Sequence, residues 1–223
     1  MLTRHWPLAR LLIMQLTKLG HSCVRLRKDS GTLIIDPGVW SGPDTLTGVN
    51  AVLVTHEHAD HLDTDAVRFA LAADADLQLW SHVSVTGQFP EFGNQVHAVS
   101  HGQSFTAAGF DVQVWGEDHA VIVPQVPIIP NVCFAVDGEV YHPGDSFTVP
   151  QERVPTVLVP VSAPWLKFAE TAEFIKATAP QRGYAIHDAI LNEFGLGLVG
   201  NLLKVVSADA PVTRLEPGMT VEL

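Results

Sequence analysis

The chain has 223 residues, and its 13 lysines and arginines against 24 aspartates and glutamates give a formal net charge of −11. At this length we expect one domain with a sizeable hydrophobic core. The acidic balance argues against nucleic acids and anionic membranes as partners, because both require a basic face on the protein.

The first strand-like pattern begins at Met14, and thirteen residues precede it. Residues 1–13 carry Arg4, Arg10 and an apolar patch, but they lack the small-residue cleavage site of a signal peptide. We therefore expect residues 1–13 to be an extension outside the core fold, with an ordinary terminal helix as the alternative. Residues 14–223 are expected to form a single domain.

Short β-rich runs bounded by turn residues dominate the front half of the chain. The apolar run Ala51–Thr55 is typical of a fully buried strand, and Asp65–Ala73 is predicted to be a helix. The other strands predicted in this half are Gln15–Lys18, Cys23–Arg27, Thr32–Ile35, Leu77–Ser81 and Gln95–Val99.

The back half combines strands with two helical stretches. Helical spacing predicts a helix at Leu166–Thr178, and Ala189–Ser207 is a second helical stretch that glycines interrupt. The strands predicted here are Phe110–Trp115, Val132–Val136, Glu139–His142, Thr156–Val161, Gly183–His187 and Thr220–Leu223. This order of elements predicts an α/β protein with two sheets and helices outside them.

The two cysteines, Cys23 and Cys133, are too few for a disulfide framework, and neither lies in a C-x-x-C pair. We expect both to be small buried hydrophobic residues. No apolar run approaches the roughly 18 to 20 residues that span a bilayer. These features predict a cytoplasmic protein with a small-molecule substrate, and they leave a homo-oligomer open.

The strongest functional signal is the segment THEHADH at residues 55–61, which directly follows the buried strand. It places four metal-ligand side chains within six residues, namely His56, His58, Asp60 and His61. Imidazole nitrogens and carboxylate oxygens suit borderline divalent metals such as Zn²⁺, which takes about four donors. The motif therefore predicts a metal site, and a solvated polar loop is the alternative.

This H-x-H-x-D-H loop resembles the signature of the metallo-β-lactamase superfamily, and the resemblance covers most of the chain from Met14 onward. The family's other motifs also occur in the right order. They are an Asp at the preceding strand end, a third His, a Gly-Asp pair and a late His, matched by Asp36, His119, Gly144-Asp145 and His187. The resemblance implies an αββα sandwich of two mixed sheets with two metal ions at the sheet edge.

Carried over residue by residue, the resemblance implies two sets of metal ligands. The first metal ion would bind His56, His58 and His119. The second would bind Asp60, His61 and His187, and Asp145 would bridge both ions. Zn²⁺ is the expected metal, and the same ligands accept Mn²⁺, Fe²⁺ or Ni²⁺.

A paired metal site implies a hydrolytic mechanism, because metal coordination lowers the pKa of water from about 15.7 to roughly 7. A metal-bridging hydroxide would act as the nucleophile, with Asp60 or Asp145 as the catalytic residue that orients it and relays its proton. We expect hydrolysis of a small ester, lactone or phosphoester. The alternatives on the same fold are a di-iron redox protein and a non-catalytic metal-binding module.

Two further segments refine the resemblance. Leu19–Cys23 and Pro160–Trp165, together with the compact size, are similar to the branch that contains ascorbate-phosphate lactonase and its metal-dependent hydrolase relatives.

Four more residues are candidates for contact with the ligands or the substrate. Asp36 would fix the tautomer of a ligating histidine, with a simple turn at residues 36–38 as the alternative. His21 would face the metals or bind substrate, and His142 precedes the Gly-Asp pair. Lys167 would supply a cation for a phosphorylated substrate. A structural role for His21 and a solvated charge at Lys167 are the alternatives.

Overall fold

The computed structural model describes residues 13–29, 31–208 and 210–223. The predicted extension at residues 1–13 therefore lies, except for Ile13, outside the described residues. Within the described ranges, no helix is both long enough and apolar enough to cross a membrane.

The described part of the chain forms fourteen strands and four α-helices. The helices are α1 (Thr64–Ala73), α2 (Val83–Thr86), α3 (Phe168–Thr178) and α4 (Glu193–Val206). The strands are β1 (Gln15–Lys18), β2 (Val24–Lys28), β3 (Gly31–Ile35), β4 (Ala51–Val54), β5 (Gln78–Ser81), β6 (Val96–Ala98), β7 (Ser104–Ala107), β8 (Phe110–Trp115), β9 (Cys133–Val136), β10 (Val140–His142), β11 (Thr156–Pro160), β12 (Arg182–Ile186), β13 (Val212–Thr213) and β14 (Thr220–Glu222).

The strands of the described ranges form two mixed sheets of seven strands each. The first sheet has the order β14-β1-β2-β3-β4-β5-β6, and the second has the order β13-β12-β11-β10-β9-β8-β7. Strands β3, β4 and β5 are parallel, and so are β10, β11 and β12. The carboxyl ends of β3 and β4 therefore share one sheet edge, as do those of β10 and β12.

The two sheets pack face to face through a buried apolar core. Leu26 and Leu53 of the first sheet lie in the same cluster as Phe134 and Leu158 of the second. A second cluster joins the outer face of the first sheet to α1, and a third joins the outer face of the second sheet to α3 and α4. The layers run helix, sheet, sheet, helix, so the predicted αββα fold class is confirmed.

Some local elements differ from the sequence-based expectation. Helix α4 runs without a break through its three glycines because Asn192 caps it and its apolar face, with Val199 and Leu203, packs against the second sheet. Strand β7 was not predicted. Its hairpin turn uses Ala108 and Gly109, both at positive φ, and alanine is a weak turn signal at such a position.

Candidate metal centre

The predicted site residues follow strands of both sheets. Asp36 follows β3, and the segment at residues 55–61 follows β4. The second sheet supplies candidate ligands after β8, β10 and β12, which are His119, Asp145 and His187. Because the two sheets face each other, loops at the carboxyl ends of their strands converge at one edge of the sandwich.

The motif loop makes a tight turn between β4 and α1. The carbonyl oxygen of His58 accepts hydrogen bonds from the backbone N–H groups of His61 and Leu62, both at 2.9 Å. The loop packs closely against the turn at residues 36–38, since a Cβ on Gly38 would lie 1.9 Å from the backbone oxygen of Asp60. Only glycine fits at residue 38 without moving the motif loop.

The first ligand cluster consists of His56, His58, His119 and Asp145, whose potential ligand atoms all lie within 4.8 Å of one another. His119 Nε2 is 3.3 Å from Asp145 Oδ2, and His56 Nε2 is 4.0 Å from the same oxygen. Burial lowers the pKa of His56 and His58. Their imidazoles are therefore neutral at pH 7, which is the form that binds a metal.

The second ligand cluster consists of His21, Asp60, His61 and His187, again with potential ligand atoms within 4.8 Å. Asp60 Oδ2 lies 3.3 Å from His21 Nε2 and 3.5 Å from His187 Nε2. Asp145 connects the two clusters, because its Oδ1 is 3.0 Å from His61 Nε2 and its Oδ2 is 3.1 Å from His187 Nε2.

Several buried polar atoms in the clusters have no hydrogen-bond partner, among them His61 Nε2, His119 Nε2 and Asp145 Oδ1. An unpaired buried polar atom normally costs roughly 1 to 3 kcal/mol. Donor atoms that crowd together without bonding to each other are expected where they converge on a shared cation. The donor set and its orphaned atoms thus fit divalent metal ions.

Hydrogen bonds to groups outside the clusters hold three cluster histidines in place. His61 Nδ1 lies 2.6 Å from Asp36 Oδ2, while His119 Nδ1 and His187 Nδ1 donate to the carbonyl oxygens of Ala120 and Ser162. A carbonyl oxygen only accepts, so Nδ1 of His119 and of His187 carries a proton. In the neutral form of these two rings, the lone pair on Nε2 faces the cluster. Asp36 thus lies next to a cluster histidine, and its role in orienting a metal ligand stays a prediction.

His21 has the opposite tautomer. Its Nδ1 accepts a hydrogen bond from the backbone N–H of Ala189 at 3.1 Å, and its Nε2 is the atom that faces Asp60. In a neutral ring the proton therefore sits on Nε2. Although His21 belongs to the second cluster by distance, it presents a hydrogen-bond donor to Asp60 rather than a lone pair.

His142 and Lys167 lie outside both clusters. His142 is buried, accepts from the N–H of Gly144 at 3.1 Å and lies 2.9 Å from the carbonyl oxygen of Ser22. Lys167 is exposed ahead of α3, where its N–H donates to Glu170 Oε2 at 3.1 Å. Within the described ranges, the Lys167 ammonium makes no hydrogen bond or ion pair with either cluster.

In the candidate metal centre, negatively charged carboxylates lie beside histidines, and each affects the pKa of the other. Burial raises the pKa of Asp60, but the hydrogen bond from His21 and the nearby His61 outweigh burial and lower the pKa to about 2. Burial likewise opposes ionisation of Asp145 and His61, yet their mutual attraction keeps the pKa of Asp145 well below and that of His61 well above the ordinary value. Both carboxylates are thus ionised at neutral pH.

Two residues that hold Asp145 were not predicted as site residues. The indole N–H of Trp165 donates to Asp145 Oδ2 at 2.9 Å, and the side-chain oxygen of Asn131 accepts from the backbone N–H of Asp145 at 3.0 Å. Trp165 lies in a segment that carries the family resemblance, but the sequence does not indicate that Asp145 is its hydrogen-bond partner. Asn131 precedes β9 and carried no signal.

A buried ion pair behind the second cluster was also missed. Lys18 is 1% exposed, and its Nζ donates to Asp188 Oδ1 at 2.6 Å and to the carbonyl oxygen of Ala185 at 3.0 Å. Arg214 Nε donates to the other oxygen of Asp188 at 2.6 Å. The only sequence signal is that Lys18 shares the core-facing side of β1 with Leu16.

Two site residues at strand ends have left-handed backbone conformations. Asp36 has a φ of 54° after β3, and His187 has a φ of 61° after β12. Such conformations are uncommon outside glycine and persist where surrounding contacts hold them. The Lys18–Asp188 pair and the hydrogen bond from His187 N–H to the His21 carbonyl oxygen at 3.0 Å supply such contacts.

The sequence is similar to a known protein family and to individual proteins. The sequence profile described as the Beta-lactamase superfamily domain matches residues 15–187. Protein Rv0786c of Mycobacterium tuberculosis is 34% identical over 214 residues, which cover 93% of this chain and 100% of that protein. A UPF0173 metal-dependent hydrolase of Geobacillus thermodenitrificans is 29% identical over 153 residues, covering 60% of this chain and 63% of the relative.

Solved structures share the fold. Igni18, a metallo hydrolase from the archaeon Ignicoccus hospitalis, superimposes with a TM-score of 0.73 at 21% identity, covering 95% of this chain and 98% of that one. At this identity the likeness concerns the fold alone. Together with the profile match over most of the chain, it shows that this protein belongs to the metallo-β-lactamase superfamily.

Proposed function

We propose that the chain is a dinuclear metal-dependent hydrolase that acts on a small ester, lactone or phosphoester. The observation that carries this proposal is the convergence of two ligand clusters on Asp145, whose two oxygens face histidines of both. Relatives and fold neighbours named as metal-dependent hydrolases support the same reaction class.

In this proposal each cluster holds one divalent ion, with Zn²⁺ as the first candidate. His56, His58 and His119 would hold the first ion, Asp60, His61 and His187 the second, and Asp145 both. When bound, the two ions supply Lewis acidity and lower the pKa of water, so that hydroxide is available at neutral pH. Metal identity and number are open to direct measurement.

The protein's own groups would orient the reactants. Hydrolysis forms a bond from the water oxygen to the acyl or phosphoryl centre, breaks the bond to the leaving oxygen and gives that oxygen a proton. Asp60 and Asp145 are ionised, so either can accept a hydrogen bond from the attacking water and orient it. Relay of the water proton through one of them is part of the proposal. His21 Nε2–H, next to Asp60, orients that carboxylate.

Placement in the ascorbate-phosphate lactonase branch remains a prediction. A phosphorylated substrate calls for a cation near the metals. Lys167, the candidate from sequence, is exposed and makes no ion pair with either cluster within the described ranges. An ester or lactone is therefore better supported than a phosphoester. The cytoplasmic location and the oligomeric state are predictions that await measurement.

Elemental analysis and one variant test the proposal. Protein reconstituted with Zn²⁺ or Mn²⁺ should carry up to two ions per chain and hydrolyse esters or lactones. Asp145→Ala should lose metal and hydrolysis together, because both clusters share this carboxylate. His101→Ala, at an exposed position away from the clusters, should change neither. A folded protein without metal, or Asp145→Ala with two ions and normal turnover, would contradict the proposal.

A further inference from the structure

An apolar pocket opens directly beside the first ligand cluster. It has a volume of about 160 Å³, and two of its walls are the cluster histidines His58 and His119. Its other lining residues are all uncharged and apolar, namely Ala120, Val121, Ile122, Val126, Pro127, Ile128 and Ile129. They belong to one segment, which we call the apolar loop, residues 120–130.

The apolar loop exposes aliphatic side chains to an unusual degree. Val121 and Ile128 are each 54% exposed and Val126 is 43% exposed, and no residue of the segment is charged. Isolated exposed apolar residues are ordinary, but a contiguous set around a concave site usually marks a ligand-binding surface. The position of the pocket next to two cluster histidines indicates what kind of ligand the pocket binds.

The loop is held firmly against the centre. His119 N–H donates to the Ile129 carbonyl oxygen at 2.9 Å, which closes the loop at its base, and Ala120 N–H donates to the Asp145 carbonyl oxygen at 2.8 Å. Three prolines, at 124, 127 and 130, further restrict its backbone. A pocket built on such a segment is preformed, so a ligand does not have to order it.

We propose that this pocket binds an apolar acyl or ring portion of the substrate while the scissile group lies at the ligand clusters. The proposal rests on the proposed hydrolase function and names its substrate class, an ester or lactone with a neutral hydrocarbon portion. In the reaction, the water oxygen bonds to the acyl carbon, the acyl C–O bond breaks, and the leaving oxygen takes a proton.

The size of the pocket limits the hydrocarbon portion. An apolar protein cavity of about 150 Å³ holds a benzene-sized molecule. A pocket of about 160 Å³ therefore accepts about six carbons, as in a hexanoyl chain or a substituted lactone ring. A long fatty-acyl chain would extend into solvent.

The apolar lining of the pocket also disfavours an anionic substituent on the part of the substrate that enters it. A phosphate or carboxylate placed among these aliphatic side chains would lose hydration without gaining a cation, and burial of an unpaired charge is strongly unfavourable. The substrate's hydrocarbon portion, and not a phosphoryl group, is therefore the part that the apolar loop recognises.

Binding of two simple acids to the zinc-loaded protein tests the proposal without relying on turnover. Acetate and hexanoate share a carboxylate head and differ by four methylene groups, each worth up to about fourfold in affinity when fully buried. Since the pocket is partly open, we expect hexanoate to bind about 10-fold to 30-fold more tightly than acetate in calorimetric titrations.

Matched variants localise the effect. Val126→Ser combined with Ile128→Ser should reduce the preference for hexanoate to less than about threefold. Val205→Ser makes the same kind of substitution at a position on α4 that is 76% exposed, and it should leave the preference unchanged. Melting curves of both proteins check that the fold is intact.

Ester hydrolysis separates this proposal from the proposed function. If p-nitrophenyl hexanoate and p-nitrophenyl acetate are both hydrolysed with equal kcat/KM and the two acids bind equally, the pocket proposal is wrong while the hydrolase proposal stands. If hexanoate binds preferentially but no ester or lactone is hydrolysed, recognition of a hydrocarbon chain by the pocket stands, and the hydrolase proposal fails. Equal affinity for the two acids, including absence of binding by both, or a preference that survives the double substitution, overturns the pocket proposal.

Discussion

Replacing Gly38 with alanine should damage the second ligand cluster. The new Cβ would lie 1.9 Å from the Asp60 backbone oxygen and 2.6 Å from the His61 backbone nitrogen. Ordinary contact begins near 3.4 Å, so the backbone carrying Asp60 and His61 must retreat by about 1.5 Å. No flexible side chain can absorb this shift, because the atoms in contact belong to the main chain.

The functional loss should be larger than the loss of stability. Ligand geometry tolerates displacements of only about 0.5 Å, and a misplacement of about 1 Å can cost roughly 100-fold in rate. We expect Gly38→Ala to lose the metal ion of the second cluster and at least about 100-fold in kcat/KM. Overpacking costs about 1 to 3 kcal/mol, which lowers Tm by about 2 to 12 °C at this chain length.

Metal analysis, ester hydrolysis and thermal melting measure the three effects in the same preparation. Gly93→Ala is the matched control, because a Cβ at residue 93 meets nothing within 4 Å. It should retain its metal content, turnover and Tm. If Gly38→Ala kept two metal ions per chain and normal turnover, the close packing of residues 36–38 against the motif loop would not control the site.

Three further predictions address stability, thiol chemistry and the first residues. Lys18→Met leaves Arg214 as the only cation beside the buried Asp188 carboxylate. It should lower the free energy of unfolding by about 3 kcal/mol and Tm by about 6 to 12 °C. A Tm change below about 2 °C would contradict a strong buried pair. Burial raises the pKa of Cys23 to about 12 and also raises the pKa of Cys133. Ellman's reagent at pH 8 should therefore label neither thiol before denaturation. Rapid labelling of the native protein would contradict this prediction. A chain that starts at Met14 should bind metal and melt within about 4 °C of the full chain, whereas aggregation would argue against an extension at residues 1–13.

The parts of the fold that sequence predicts are those with local signals. The uninterrupted apolar run of β4 predicts a buried strand, and the spacing of the four donors after it predicts a metal loop. Asp36 was predicted behind a ligating histidine because it ends the neighbouring strand, and the structure has it 2.6 Å from His61 Nδ1. The parallel pairing of β3 with β4 brings the end of β3, and with it Asp36, next to the motif loop.

The parts that were missed depend on partners distant in sequence. The tautomer of His21 is set by the N–H of Ala189, and the buried charge of Lys18 is balanced by Asp188. Neither partner carries a periodic or motif signal that links it to its counterpart. The pocket beside His119 was missed because exposure of the apolar loop is a tertiary property.

The division of the ligands between the two sheets has a consequence for how the protein matures during synthesis. The motif loop leaves the ribosome early, but Asp145 and His187 follow much later, and β14, which pairs with β1, comes last. Pairings between such distant segments form slowly. If the proposed function is right, a growing chain would offer the motif histidines to metal ions before the site is complete. We then expect tight metal binding only after β12 and the following His187 have been made.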